Sequence, residues 1–398
     1  YLYKLSSRAL PAIVAIFNPV QQLPQSIHLL RGERAFPRRE ERPQTAGRFA
    51  QDPATLPLPF SGRGIGVYRG VDLLAFILQE VALAQFDGPR HAALTEFLQE
   101  ADKDTPVFMY LHHMEPHMSY LPEPDSEALF DRGFPGRYEG HYRELGKTRI
   151  YPDLTSDDIG RLIDRYDAEI YDNDRGFADF LSLLERFDRL EDPLIIVVAD
   201  HGESFMEHGS VVHGWTLNSS EMHIPLIARF PDGYAEGVRV KERASIIDLY
   251  PTIMNLAGGL PELEYPLPGK DLRRFASAPN SPPKRWIYGE LSMKKDCSHD
   301  LVSVIDSNGY KRVIDASRVP GKVASKESVG LWKITSDPEE KEDLSEDLPV
   351  RAAYGEQKIS GWLIAQQEWL PEGRVKKKQT VEMPEERRKQ LKALGYLD

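Results

Sequence analysis

From Leu194 to Pro231 the chain reads LIIVVADHGESFMEHGSVVHGWTLNSSEMHIPLIARFP, and this stretch limits the possible fold more than any other. Five apolar residues in a row, Leu194 to Val198, four of them β-branched, follow the breaker Pro193. A run that short with no polar face is expected to be a strand covered on both sides, as in a parallel sheet. Asp200, His201 and Gly202 then fall where the strand ends and its loop begins. In open α/β sheets ligands collect outside the carboxyl ends of the strands. A carboxylate oxygen beside an imidazole suits Zn²⁺, Mn²⁺ or another mixed O/N metal site. Ile224 to Phe230 is expected to form a second apolar strand.

An Asp-His pair alone would more often mark a turn with a surface histidine. Here eight of the eleven His lie between residues 112 and 223. Two of them, His112 and His113, also end a strand-like apolar run, residues 106–111. Two strand ends that both deliver imidazoles point to one functional metal or anion site.

With 398 residues the chain can bury one large α/β domain, or a large domain and a small one. A net charge of −12 argues against nucleic acid as a partner and offers no basic patch to anionic membranes. The cluster RGERAFPRREER at 31–42 reads as a solvated loop. A single cysteine, Cys297, excludes an internal disulfide framework. No transmembrane segment is expected, because the apolar run Leu73 to Phe86 is too short and carries Gln79 and Glu80. That run reads as a buried helix. The chain opens YLYKLSSRAL without Met, which reads as a processed or truncated product.

Further along, Pro89 to Asp102 has helical spacing. Residues 121–154 have no periodicity and read as a long surface loop. Residues 155–187 are expected to form a long helix with Thr155 as N-cap and a solvated acidic face. RASIIDLYPTIMNLAGG suggests a short strand followed by a helix, and the Pro-rich stretch 261–285 a linker. Four β-like runs follow, at 286–291, 301–306, 310–314 and 330–334, with Asn308-Gly309 as a hairpin turn.

The stretch ADHGESFMEHG…VHGWTLNSSEMHIPLIARFP resembles the sulfatase branch of the alkaline-phosphatase superfamily. HHMEPHMSYLPEP at 112–124, the segment IIDLYPTIMNLAG, LWKITSDPEEKEDL and the tail RRKQLKALGYLD are similar to other parts of the same pattern. The resemblance implies an alkaline-phosphatase-like large sheet flanked by helices, expected over 1–283. A smaller C-terminal antiparallel β-sheet with a helix is expected over 284–398. It implies that Asp200 and His201 hold a divalent ion (Ca, Mn or Zn) and that His117 sits against the sulfate or phosphate group. His112 and Tyr120 would shape the pocket, and His213 would stand near the leaving group. The implied partner is a small anionic ester, and the implied compartment periplasmic or extracytoplasmic.

One region departs from the family. LPQSIHLLRGE at 23–33 is a worn version of the nucleophile motif, and the alignment puts Gln22 where a Cys, Ser or Thr should stand. Gln has no oxygen to activate for attack. An opening strand that ends in acidic ligands has no counterpart in the sequence. The leading expectation is a metal-dependent hydrolase of sulfate or phosphate monoesters with its nucleophile unidentified. The rivals are a non-catalytic relative that binds an anionic ligand, and a transferase or mutase of phosphorylated headgroups. Asp200, His201, His117 and His213 are expected to converge on one cleft within roughly 10 Å, close enough to share a small anion and a metal ion. The chain as written is expected to show little or no esterase activity.

Overall fold

In the computed structural model the described residues are 12–17, 65–70, 73–79, 89–101, 106–113, 115–141, 153–257, 267–292, 300–316 and 329–368. Short apolar runs form the middle of one sheet. In chain order the first elements are β1 (Ala12–Phe17), β2 (Ile65–Gly70), β3 (Leu73–Gln79), helix α1 (Pro89–Glu100) and β4 (Val107–His112). Helices α2 (Pro124–Phe130) and α3 (Ser156–Arg186) follow, then β5 (Leu194–Val198), β6 (Ser204–Phe205) and β7 (Val211–Val212). Next come α4 (Ser219–Met222), β8 (Leu226–Arg229), α5 (Leu249–Leu256) and α6 (Arg273–Ala276). The last are β9 (Ile287–Ser292), β10 (Asp300–Ile305), β11 (Tyr310–Asp315), β12 (Gly330–Lys333) and α7 (Pro349–Glu368).

The six-stranded sheet has the order β2-β3-β4-β1-β5-β8. β3, β4, β1 and β5 run parallel, and the edge strands β2 and β8 are antiparallel to their neighbours. The two strands expected at its centre, β4 and β5, lie either side of β1. Alternation along them sends side chains to two separate cores. Val107, Met109, Leu111 and Ile195 pack with α1 and the C-terminal half of α3, among Leu94, Phe97, Phe180 and Leu184. Leu194, Ile196 and Val198 face the other way, onto Leu249, Ala257 and Leu272. Coverage on both faces explains the unbroken apolar run at 194–198.

The run expected as a helix at 73–86 is instead strand β3 over residues 73–79, paired with β2 and β4. A short continuous apolar run carries no period that separates a doubly covered strand from a buried helix. The short strand expected ahead of α5 is a 3₁₀ turn, Ile246–Asp248, closed by a Ser245–Asp248 capping box. The stretch read as a linker at 261–285 packs back in its described part. Lys270 N–H and Arg285 reach the buried Asp248, and Leu272 N–H donates to Thr252 Oγ1. Residues 121–141 include a helical piece, α2, absent from the loop reading.

Helix α3 starts as expected. Thr155 Oγ1 accepts from Asp158 N–H at 3.2 Å and the Asp158 carboxylate accepts from Thr155 N–H at 2.9 Å. Its acidic face differs from expectation. Asp158, Asp164, Glu169 and Asp172 are buried, because they accept hydrogen bonds from the loop that follows β4. Arg137 N–H donates to Asp158, Arg132 N–H to Asp164, Leu121 N–H to Glu169 and Glu123 N–H to Asp172. A loop without its own ladder needs acceptors for its buried N–H groups, and the helix supplies them.

The second sheet is antiparallel, ordered β12-β11-β10-β9. Gly309, at φ 82°, makes the turn between β10 and β11, and Asp306 Oδ1 accepts from Asn308 N–H and Tyr310 N–H. Helix α7, not foreseen at 349–368, buries Ile359 against Val302 and Val304. The tail RRKQLKALGYLD lies outside the described residues, as do Gln22 and the LPQSIHLLRGE motif. No helix among the described residues is long and apolar enough to cross a membrane.

Candidate active site

Two loops leave the carboxyl ends of β4 and β5 on the same side of the sheet. The first carries His117 and Tyr120, the second Asp200, His201, Glu203 and His213. The His201 and His213 rings lie 3.9 Å apart between centroids, and the His117 and His213 rings 5.0 Å apart. Asp200 adjoins His201, with Oδ1 to Nε2 at 3.7 Å. Asp200, His201, His213 and His117 therefore form one connected group. His112 ends β4, in register with Phe17 of β1 and Gln79 of β3.

Hydrogen bonds fix the ring orientations. A backbone carbonyl only accepts, so each ring nitrogen facing one must carry its proton. His117 Nδ1–H donates to Met118 O at 2.6 Å, and His201 Nδ1–H to Gly202 O at 2.9 Å. In the neutral imidazole this leaves a lone pair on Nε2 of each. His213 Nδ1–H donates to Glu203 Oε1 at 3.0 Å. The other Glu203 oxygen accepts from Tyr120 O–H at 3.0 Å. Tyr120, Glu203 and His213 thus make a hydrogen-bonded chain from the core to the cleft, with Tyr120 and Glu203 buried and His213 20% exposed.

Electrostatics follow this layout. Burial lowers the His117 pKa, and the nearby His213 adds to that, while Glu203 pulls upward. His117 is therefore neutral at neutral pH in the free site. Burial, then the Glu203 charge, raises the Tyr120 pKa well above its ordinary value, so the phenol remains a donor.

The second loop is shaped tightly. Short strands β6 and β7 pair Ser204 with Val212 and Phe205 with Val211. Met118 and Tyr120 pack with Phe205, Val211, Val212 and Tyr166 into one core beneath the two loops. Val212, buried and β-branched, sits at φ 62°, and Gly214 at φ 83°. A left-handed valine is an outlier that persists only where its surroundings over-determine it, and such outliers gather at functional sites. Here the outlier immediately precedes His213.

Asp200 and His201 suit a divalent cation in kind: an exposed carboxylate beside an imidazole whose Nδ1–H is held by a carbonyl, leaving Nε2 free to ligate. Among the described residues no group of three or more His, Cys, Asp or Glu side chains could hold a metal.

Three carboxylates carry more of the geometry than the sequence suggested. From the sequence Glu203 is expected to support neighbouring site residues or the fold, and it lies between His213 and Tyr120. Glu221 gave no sequence signal. It is buried, and its side chain accepts from the backbone N–H of Gly214, Trp215 and Thr216. Burial pushes its pKa up to about 7 against the pull of the Gly214 and Thr216 hydrogen bonds. Glu340 accepts from Asn218 Nδ2, from Ser219 N–H and O–H, and from the buried Lys311.

Comparison with known proteins places this geometry. The Sulfatase family model matches residues 85–260, the span that contains both loops. Arylsulfatase K of Homo sapiens is 25% identical over 216 residues, which are 52% of this chain and 38% of that protein. The arylsulfatase of Clostridium perfringens is 22% identical over 249 residues, 58% of this chain and 51% of that protein. This chain thus spans well under two thirds of the length of either relative. A solved structure described as a complex with its substrate D-glucosamine-2-N,6-O-disulfate superposes with a TM-score of 0.56 at 14% identity. It covers 75% of this chain and 73% of its own. The phosphonate monoester hydrolase of Agrobacterium radiobacter gives a TM-score of 0.52 at 19% identity, covering 72% of this chain and 64% of its own. At such identities the superpositions speak for the fold, which is alkaline-phosphatase-like. In sequence the chain is similar to the sulfatase family over residues 85–260.

Proposed function

We propose that the protein hydrolyses sulfate monoesters at the cleft formed by His117, His201 and His213. The observation that carries this reading is the contact of three histidine rings at two strand ends, one of them backed by a buried carboxylate. A sulfate ester brings negative oxygens, and cleavage places further charge on the leaving oxygen. His213, with Nδ1–H on Glu203, has Nε2 to hold a proton for that oxygen. His117 meets the sulfate through Nε2, and becomes a donor there once the ring takes up a proton. Asp200 and His201 would hold a divalent cation, which when bound offsets charge on the non-bridging oxygens. Tyr120 acts through Glu203, and His112 borders the cleft at the end of β4. In this reading residues 1–283 carry the site and 284–398 brace it.

Sulfate is preferred over phosphate because the sequence relatives are named arylsulfatases. Gln22, at the position that resembles the nucleophile's, favours a second reading in which the pocket holds an anionic ligand without turnover. The test is turnover of aryl sulfate and aryl phosphate by the intact protein with added Ca²⁺, Mn²⁺ or Zn²⁺. Sulfate binding by calorimetry should be measured alongside, on wild type, His201→Ala and His213→Ala. Aryl sulfate turnover that falls in both variants supports the proposal. Turnover indifferent to both overturns it, and sulfate binding without turnover selects the second reading.

A further inference from the structure

Glu221 lies on the short helix α4, and its hydrogen bonds converge on the two stretches of the β5 loop that follow His201 and His213. Oε2 accepts from Gly214 N–H at 2.6 Å and Trp215 N–H at 3.3 Å. Oε1 accepts from Thr216 N–H at 3.2 Å and Thr216 O–H at 3.0 Å. The Ser204 hydroxyl approaches the same oxygen at 3.4 Å. Its backbone carbonyl accepts from Gly202 N–H at 2.7 Å. One residue therefore ties the segment after His213 to the segment after His201. A solvated glutamate would satisfy its oxygens with water. This one is 4% exposed and satisfies them with three consecutive amides.

Among the described residues the hydrogen bonds of these three amides run to Glu221. Gly214 is left-handed, and the turn at 213–216 has no strand partner because β7 ends at Val212. Three N–H groups pointing one way form a small anion nest, and here a side-chain carboxylate fills it. We infer that Glu221 is a positioning residue that fixes the His213 ring against His201 and His117 by filling this nest. The neighbouring carboxylate Glu340 has a separate task. It holds Asn218 and Ser219 to Lys311 of β11, and Leu217 just before them packs on Leu301, Val313 and Trp332. Glu340 docks the segment onto the second sheet, and Glu221 sets its opposite end.

The inference rests on the hydrolase reading only in its kinetic arm, so the experiment has arms independent of turnover. In Glu221→Gln the side-chain amide presents donors to donors. Removing a charged acceptor should speed amide exchange at Gly214, Trp215 and Thr216 by about tenfold or more, with β5 amides unchanged. Thr216→Val deletes the hydroxyl contact with Glu221, and with it the Asn218 N–H contact to the same hydroxyl, and should show the same pattern at about threefold together with faster exchange at Asn218. It decides the matter if Glu221→Gln does not fold. In both variants the side-chain nitrogen NMR signals of His213 should shift as its Nδ1–H contact with Glu203 loosens. If the protein turns over aryl sulfate, kcat should fall about tenfold in Glu221→Gln with KM within twofold. Glu340→Gln is the contrast, expected to loosen residues 217–219 while leaving the His213 signals in place. Unchanged exchange at 214–216 in both Glu221→Gln and Thr216→Val overturns the inference. So do loosened amides with unmoved His213 signals, since Glu221 would then be structural only.

Discussion

The loops after β4 and β5 bring histidines to the same cleft and are held there by opposite means. The β4 loop is held from a distance. Arg165, Glu169, Asp172 and Asn173 of α3 take its backbone groups at Tyr120, Leu121, Glu123 and Glu115, about fifty residues away in the chain. The histidine-bearing part of the β5 loop, residues 200–216, is held largely from within, by Glu203 and Glu221 of its own segment, while Glu340 docks its far end. A loop held by a remote helix depends on the whole domain. One held by its own carboxylates can keep its shape while its surroundings loosen, and it places its histidine with fewer intermediaries. The two loops should therefore respond differently to mutation.

The largest effect concerns the histidines themselves. If the intact protein turns over an aryl sulfate, His213→Ala should lower kcat/KM by about 10²–10⁴, the range for losing a positioned acid or base. Because the ring is partly exposed, thermal unfolding should move little. An equal loss in His213→Gln with full recovery by added imidazole would tie the effect to the proton. A fall in melting temperature as large as the activity loss implies would break the contrast.

Glu221 sets a pH test of the inner clamp. Its folded pKa, raised to about 7, lies above the ordinary 4.5, so between those values the folded state holds the extra proton. Stability is then lost as pH rises from about 4.5 to 7, by no more than about 3 kcal/mol. The buried Glu169, also raised, acts in the same direction. Urea unfolding at pH 5 and pH 7.5 should show the decline, and Glu221→Gln should flatten it in part. An unchanged slope would mean the nest keeps Glu221 ionised throughout.

Asp172→Ala tests the remote clamp. It leaves Glu123 N–H and the Ser126 hydroxyl without their acceptor, at a cost of about 1–3 kcal/mol. Hydrogen exchange should rise across 117–126 and stay at wild-type rates across 213–217. Equal loosening of both segments would show that the loops unfold as one unit.

The same contrast explains what could be read from the sequence. β5, β4 and the four strands of the second sheet announced themselves by apolar runs and turn residues. The histidines stood out because they follow strand ends. β3 was misread because a run apolar on every side has no period. The carboxylates of α3 were misread because their partners, the amides of a loop without periodicity, lie outside any window a helix pattern examines. Glu221 gave no signal, since nothing in SSEMH distinguishes a glutamate facing three amides from one facing water. Features made by local chemistry were legible, and those made by tertiary partners were not.

The smallest effect lies at the start of α3, where the remote clamp begins. Thr155 and Asp158 close a capping box, and Asp158 also takes Arg137 N–H. Burial opposes its charge, yet the Thr155 and Arg137 hydrogen bonds hold its pKa down at about 2. Its folded value is thus below the unfolded one, so its contribution is present above about pH 4 and fades as pH falls toward 2. Thr155→Ala removes the hydroxyl and should cost about 1 kcal/mol, as N-cap losses commonly do. The helix then frays only in its first turn, near Arg137 and far from Glu169 and Asp172. Exchange should therefore rise at 156–159 and around Arg137, with residues 117–123 unaffected and aryl sulfate turnover unchanged. If Thr155→Ala loosens 117–123 as well, α3 acts as a rigid rod that passes strain along its whole length. The remote clamp would then be one cooperative unit rather than a row of separate hydrogen bonds.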